Sequence, residues 1–203
     1  SPYQKSLRII SRRHSRLKKL IDSVGFLDYE MPIWRSIDDA VLYAVIGQML
    51  SIQAAQSIIK RLIDRFGSSR NVIIWAGKTA YRNGPVCGVS RRKRQALKKW
   101  GEYAFKKKNF RGRWRQMPLD DYRAEICSIW GFGKWAADML AIFYLGREDI
   151  WPETDAGIKK ACKIILGGNS GKIGRWIKGH ETIVSLYLWE FLNRKLHLDF
   201  QRS

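Results

Sequence analysis

Several residue types that would commit the chain to a particular chemistry are scarce. Only three cysteines occur in 203 residues. Cys87, Cys127 and Cys162 are far apart, odd in number and form no CxxC pair, which argues against a disulfide framework. His14, His180 and His197 do not cluster with them, which disfavours zinc and iron–sulfur sites. No apolar run approaches the ~18 residues that a membrane span needs. The basic N-terminus lacks the apolar stretch of a signal peptide. Few segments alternate with period two, and the best strand candidate, residues 71–75, is short. Carboxylates are outnumbered: 18 Asp and Glu stand against 38 Lys and Arg, a formal net charge of +20.

That surplus of positive charge suits a polyanionic partner. A membrane surface would attract it too, but no strongly amphipathic terminal helix is there to anchor it. With 45% hydrophobic and 28% charged residues the chain reads as soluble and globular. Its length allows one large domain or two small lobes.

Helical periodicity dominates. From Ile37, apolar residues recur at Val41, Ala44, Val45 and Met49, one face of a helix capped by Ser36 or Asp38. Residues 52–66 read as a second helix, ended by Gly67. Residues 89–105 read as another, with Arg91, Arg92, Lys93, Arg94, Lys98 and Lys99 outward. Further helices are expected over 7–21, 119–129, 134–145, 156–166 and 181–194. The fold class is all-α. Weak breaks at 82–85 and 167–171 point to a two-lobed body built from discontinuous segments. The stretch 167–173 imitates a phosphate loop, but Leu166 stands where the first Gly belongs and Ile173 where Ser or Thr belongs. A flexible connection is the better reading.

The most informative stretch runs from Leu119 to Lys160. One helix ends on Ile126, Ile129 and Trp130. Gly131-Phe132-Gly133-Lys134 follows, and a helix rich in Ala136, Ala137 and Ala141 begins at once. Two glycines one residue apart make a tight turn and let a ligand approach the backbone. The free N–H groups at the start of the next helix form an anion site that a DNA phosphate fits. An ordinary αα-hairpin with a glycine turn fits these residues equally well. Farther on, Asp155 precedes a helix near Ala156, where the helix dipole favours a carboxylate. By position alone it is an N-cap.

Four blocks together resemble the helix-hairpin-helix DNA glycosylase superfamily, and most closely its 3-methyladenine DNA glycosylase II branch. Val45-Ile46-Gly47-Gln48-Met49-Leu50-Ser51 with Ala54-Ala55 is similar to the family's GQQ-S-AA helix. Gly88-Val89-Ser90-Arg91-Arg92-Lys93 is similar to its G-LS-RK segment. Residues 129–139 are similar to its hairpin, and residues 145–158 to LGR-DVFP-DDLGI. The resemblance runs from about His14 to Leu192. Thr154 departs from it in place of the first of two aspartates, Ala136 in place of Thr, and Met49 where many members carry Gln.

The resemblance implies a two-lobed helical fold with its active site in the cleft between lobes, approximately 36–120 and 1–35 plus 121–203. It implies an enzyme that flips an alkylated base out of double-stranded DNA and cuts its N-glycosidic bond, with Asp155 as the catalytic carboxylate. Bifunctional members carry a Lys at the position of Trp135, so a glycosylase without lyase activity is expected. Trp135, Trp151, Met139 and Trp189 are the expected base pocket. Met49 is the expected wedge, with Gln48 beside it; the alternative is that Met49 continues the buried face of its helix. Gly131, Gly133, Lys134, Ser90, Arg91 and Lys93 are the expected phosphate contacts. No metal or cofactor is expected for the chemistry, although related hairpins hold Na+ or K+ when DNA is bound. A monomer in the cytoplasm or nucleus is expected. Excision of uracil or hypoxanthine, and a non-catalytic module that only binds DNA, are the alternatives.

Overall fold

The computed structural model describes residues 2–28, 31–78, 86–107, 110–167 and 177–196. Among them every regular element is a helix, and one isolated bridge joins Val86 to Val89. In chain order these are α1 (Pro2–Arg13), α2 (Ser15–Val24), α3 (Ile37–Gly47), α4 (Ile52–Phe66), α5 (Ser69–Lys78) and α6 (Arg91–Lys106), followed by α7 (Phe110–Gln116), α8 (Leu119–Cys127), α9 (Lys134–Leu140), α10 (Ala156–Ala161) and α11 (Glu181–Asn193). α9 and α10 each run on into a wider π-helical turn, Ala141–Leu145 and Cys162–Leu166, ended by left-handed Gly146 and Gly167.

The chain forms two compact units: a central one, Met31–Gly146, and a terminal one, Ser1–Glu30 with Arg147–Ser203. The centre of the first is α3, apolar on nearly every side, with Ala40, Val41, Leu42, Ala44, Val45 and Ile46 buried. A helix of that kind has to be wrapped by others, and α4, α5, α6 and α9 pack around it. In the terminal unit α11 has the same role, with its run from Thr182 to Leu188 buried against α2 and α10. Tyr187 donates to the Gly25 carbonyl at 3.0 Å and Arg194 to that of Val24 at 2.8 Å, which fixes the end of α2.

The structure departs from the sequence reading in several places. The expected helix over 7–21 is two helices, broken where His14 turns extended (φ −151°, ψ 115°). The strand candidate 71–75 lies inside α5. Its buried residues Val72, Ile73 and Ala76 fall on one helical face, which five residues are too few to reveal. The lobe boundaries differ as well. The hairpin belongs to the 31–146 unit, because Phe132 packs near Trp100 of α6 (6.1 Å between rings) and Gln48 binds the turn. The breaks at 82–85 and 168–171 and most of the phosphate-loop imitation lie outside the described residues.

Candidate functional site

In the central unit, α8 and α9 form the hairpin. The Tyr122 hydroxyl donates to the Ala137 carbonyl at 2.9 Å, and Arg123 pairs with the fully buried Asp138 at 2.7 Å, so the two helices are cross-linked below the turn. Ile129 N–H donates to Ile126 and Phe132 N–H to Ile129, winding the turn tightly. Gly131 has φ +89°, and a Cβ there would lie 2.5 Å from that of Ala96, so conformation and space both demand glycine. Gly133 is different. Its backbone is extended (φ −115°, ψ −178°) and a Cβ would meet nothing within 4 Å. Nothing in the protein itself requires glycine at this exposed N-cap, where the first amides of α9 have no acceptor within the helix.

Gln48 ends α3, and its side-chain amide donates to the Gly131 carbonyl at 3.2 Å. Met49 follows in the left-handed region (φ 59°) and is fully exposed, at 101%. It does not continue the buried face, because α3 stops two residues earlier. Leu50 and Ile52 beside it are exposed as well. Ser90 caps α6, accepting from Lys93 N–H at 3.3 Å. The Lys93 ammonium donates to the Ile46 carbonyl at 2.6 Å, at the end of α3, and burial lowers its pKa. Of the expected phosphate contacts, Lys93 therefore has part of its donor capacity taken inside the protein.

A depression of about 530 Å³ gathers Gln48, Met49, Ser90, Arg92, Lys93 and the turn from Gly131 to Gly133. Arg92 is a site residue that sequence reasoning does not pick, whereas Arg91 is exposed and does not line the depression. Within a run of four basic residues only the phase of α6 separates them. Lys134 is half-buried at the start of α9. Trp135 is half-buried, its ring 3.5 Å from where a Gly47 Cβ would be, so glycine at 47 makes its seat. Met139 is buried one turn on.

The terminal unit holds Asp155. Turns at 151–155 lead into α10, with Glu153 N–H on the Trp151 carbonyl and Asp155 N–H on that of Pro152, both at 2.9 Å. Asp155 is the N-cap: its Oδ1 accepts from Ile158 N–H at 2.9 Å and from the Trp189 indole at 3.0 Å. Gly157 leaves room for this, since a Cβ would come within 3.0 Å of Oδ1 and 3.3 Å of the indole. Thr182, also absent from the sequence reading, ties the approach to α11; its hydroxyl donates to the Arg147 carbonyl at 2.9 Å and accepts from Ile150 N–H at 3.2 Å. Trp151 is half-buried in the same unit. Of the four expected pocket residues, Trp189 thus touches the carboxylate directly. Among the described residues no group of His, Cys, Asp and Glu is placed to hold a metal ion, and no helix is long and apolar enough to cross a membrane.

The helical body with its glycine hairpin has the fold of solved DNA glycosylases. A relative in sequence and several solved structures that the chain resembles carry names for alkylated bases. The alkylbase DNA glycosidase-like protein mag2 of Schizosaccharomyces pombe is 25% identical over 97% of this chain and 96% of its own. The 3-methyladenine DNA glycosylase of the same yeast, solved with abasic DNA, superposes with a TM-score of 0.80 at 21% identity, covering 92% of this chain and 95% of that one. A DNA-3-methyladenine glycosidase from Bacillus halodurans gives 0.72 at 25% identity, with 94% and 89% covered. No family model matches the sequence.

Proposed function

We propose that the protein is a monofunctional DNA glycosylase that draws an alkylated base of the 3-methyladenine type out of the duplex, hydrolyses its N-glycosidic bond and leaves an abasic site. The observation that carries this reading is the Asp155 carboxylate, fixed through Oδ1 by the Ile158 amide and the Trp189 indole. Positive charge builds on the deoxyribose as the base departs. An ionised carboxylate already held in place stabilises that charge and orients the attacking water. Purines alkylated at N3 or N7 are cationic and leave readily, so one carboxylate suffices. The relatives' names support the same substrate class.

The other residues fit around this step. Trp135 offers no amine for a Schiff base, and Lys134 is about 100° out of phase with it on the helix. Met49, exposed and unbranched, fills the gap left by the flipped base. The amides beyond Gly133, with Ser90, Arg91, Arg92 and Lys134, hold phosphates. A Na+ or K+ ion at the hairpin would rest on backbone carbonyls, hard oxygen donors suited to such ions, and would add positive charge beside a phosphate; the Gly131 carbonyl already takes the Gln48 amide.

Duplexes each carrying 3-methyladenine, 1,N6-ethenoadenine, uracil or hypoxanthine test the reading. Base release is expected from the alkylated duplex, with a loss of about 10²-fold or more in Asp155→Asn. Equal activity of the two proteins would overturn the role of Asp155. Release of uracil or hypoxanthine alone would move the substrate class, and no release at all would leave a DNA-binding module. A borohydride-stable adduct through Lys134 would overturn the monofunctional assignment.

A further inference from the structure

The first helix of the terminal unit carries charge of one sign that the site described above does not use. α1 contains Lys5, Arg8, Arg12 and Arg13 and no Asp or Glu. At about 100° per residue, Lys5, Arg8 and Arg12 fall within about 60° of one another around the helix axis, and all three are exposed. Among the described residues none of the three has an ion-pair partner. Asp22, the one acid of the neighbouring α2, is held by Lys18 at 2.6 Å. The opposite face of α1 is apolar and already used: Ile10 is 2% exposed, in a helix that packs on α2 and α11. Two depressions of about 440 and 430 Å³ border the basic stripe. Gln4, Arg8 and Arg12 line both of them. The Ser11 hydroxyl beside them donates to the Leu7 carbonyl at 2.8 Å, which leaves the Gln4 amide as the neutral donor next to the stripe.

We propose that Lys5, Arg8 and Arg12, with Gln4, form a second phosphate-binding surface, carried by the unit that lacks the hairpin, which holds undamaged duplex DNA by its backbone. The inference rests on the DNA-binding part of the reading above and adds a surface to it. Long basic side chains and amides are the groups that bind phosphate oxygens without reading sequence. Lys5 and Arg12 are seven residues apart, a rise of about 10 Å along the helix. That matches about three phosphates of one strand, at about 3.4 Å of duplex axis each. A lipid surface asks for a free apolar face that can enter the acyl boundary, and the apolar face of α1 is packed inside the unit. An acidic protein asks for an exposed aromatic or apolar anchor, and among the described side chains no large apolar one on α1 is exposed. Duplex DNA asks for neither, only for cations in a row.

Binding of an undamaged duplex over a range of salt concentrations, read by fluorescence anisotropy, tests this. Each phosphate contact removed lowers the slope of log affinity on log salt by about 0.9, so Lys5→Gln, Arg8→Gln and Arg12→Gln together should lower it by about 2 to 3. Gln is a helix former close to Lys and Arg, so the melting temperature should stay in place. Arg8→Lys with Arg12→Lys keeps the charge and should keep the slope. Lys60→Gln, Arg61→Gln and Arg65→Gln together remove the same net charge from α4 and should change the slope by less than about 1. Duplex should also slow the acetylation of Lys5 by acetic anhydride, followed by mass spectrometry, and leave that of Lys60 unchanged. An unchanged slope in the α1 variant, an equal fall in the α4 variant, or an unprotected Lys5 would overturn the surface. So would a loss of binding to phosphatidylserine vesicles with duplex binding intact, which would give the stripe to a membrane. If the unmodified protein releases no base from any lesion while the slope responds as expected, the glycosylase reading fails and the surface stands. If it releases base and the slope does not respond, the surface alone falls.

Discussion

The oxygen of Asp155 that caps α10 is also the one that accepts the Trp189 indole, so substitution at this residue can separate charge from cap. Asn caps a helix about as well as Asp. The Asp155→Asn protein should therefore keep its melting temperature within a few degrees while losing base release, which calorimetry and the duplex assay read side by side. Met49 offers the opposite separation. A non-glycine residue in the left-handed region costs about 1–2 kcal/mol, and here the side chain recovers nothing by packing. Met49→Gly should raise stability by a fraction of that strain in urea unfolding, since glycine also loses more chain entropy. It should weaken binding to lesion-containing duplex. A variant both more stable and equally tight would show that Met49 does not enter the DNA.

At the scale of elements, the hairpin makes its two glycines unequal. Gly131→Ala forces a Cβ onto Ala96 in a left-handed backbone. It should cost about 2 kcal/mol or more of stability through clash and strain together. Gly133→Ala meets open space in an extended backbone, so its stability should stay near wild type while affinity for DNA falls, measured by fluorescence anisotropy. Below the hairpin, α6, α7 and α8 converge on Glu125, whose carboxylate accepts from the Arg113 guanidinium, the Tyr103 hydroxyl and the Trp114 indole. The Arg113 bonds, before all else, hold its pKa down to about 2 from 4.5. A folded pKa below the unfolded one means that this stabilisation is fully present above pH 4.5 and is lost as pH falls towards 2. Glu125→Gln should flatten the acid limb of the stability curve in that window, and an unchanged limb would assign it to other carboxylates.

For the molecule as a whole, the net charge of +20 sets how it meets a polyanion. If about six phosphates are neutralised, log affinity should fall against log salt with a slope near −5; a slope near zero would leave the basic surface without a role in binding. What the sequence reveals of this follows from how far apart the interacting residues lie. The hairpin glycines and Asp155 are legible because their chemistry is local: a turn, a helix start and a cap lie within a few residues. The identity of the helices is legible from periodicity, except at α5, whose residues 71–75 imitate a strand, at α7, which the periodicity does not pick out, and at His14, where one helix becomes two. The inward bond of Lys93 is not legible, because a run of basic residues gives no sign that one of them folds back onto the Ile46 carbonyl, 47 positions away. The Trp189–Asp155 bond spans 34 positions and leaves no periodic trace.

The bond from Gln48 to the Gly131 carbonyl has a consequence for timing. It couples the loop bearing Met49 to the turn expected to grip the backbone. A protein that searches long DNA stays only briefly at each site, and any separate closing motion would have to fit within that dwell. On the proposed reading, with probe and grip joined beforehand, interrogation starts on contact, and the dwell is spent testing how weakly a base is held. Cutting the link with Gln48→Ala would leave both parts in place but let them arrive out of step, so the defect belongs to the rate of lesion capture more than to the affinity finally reached.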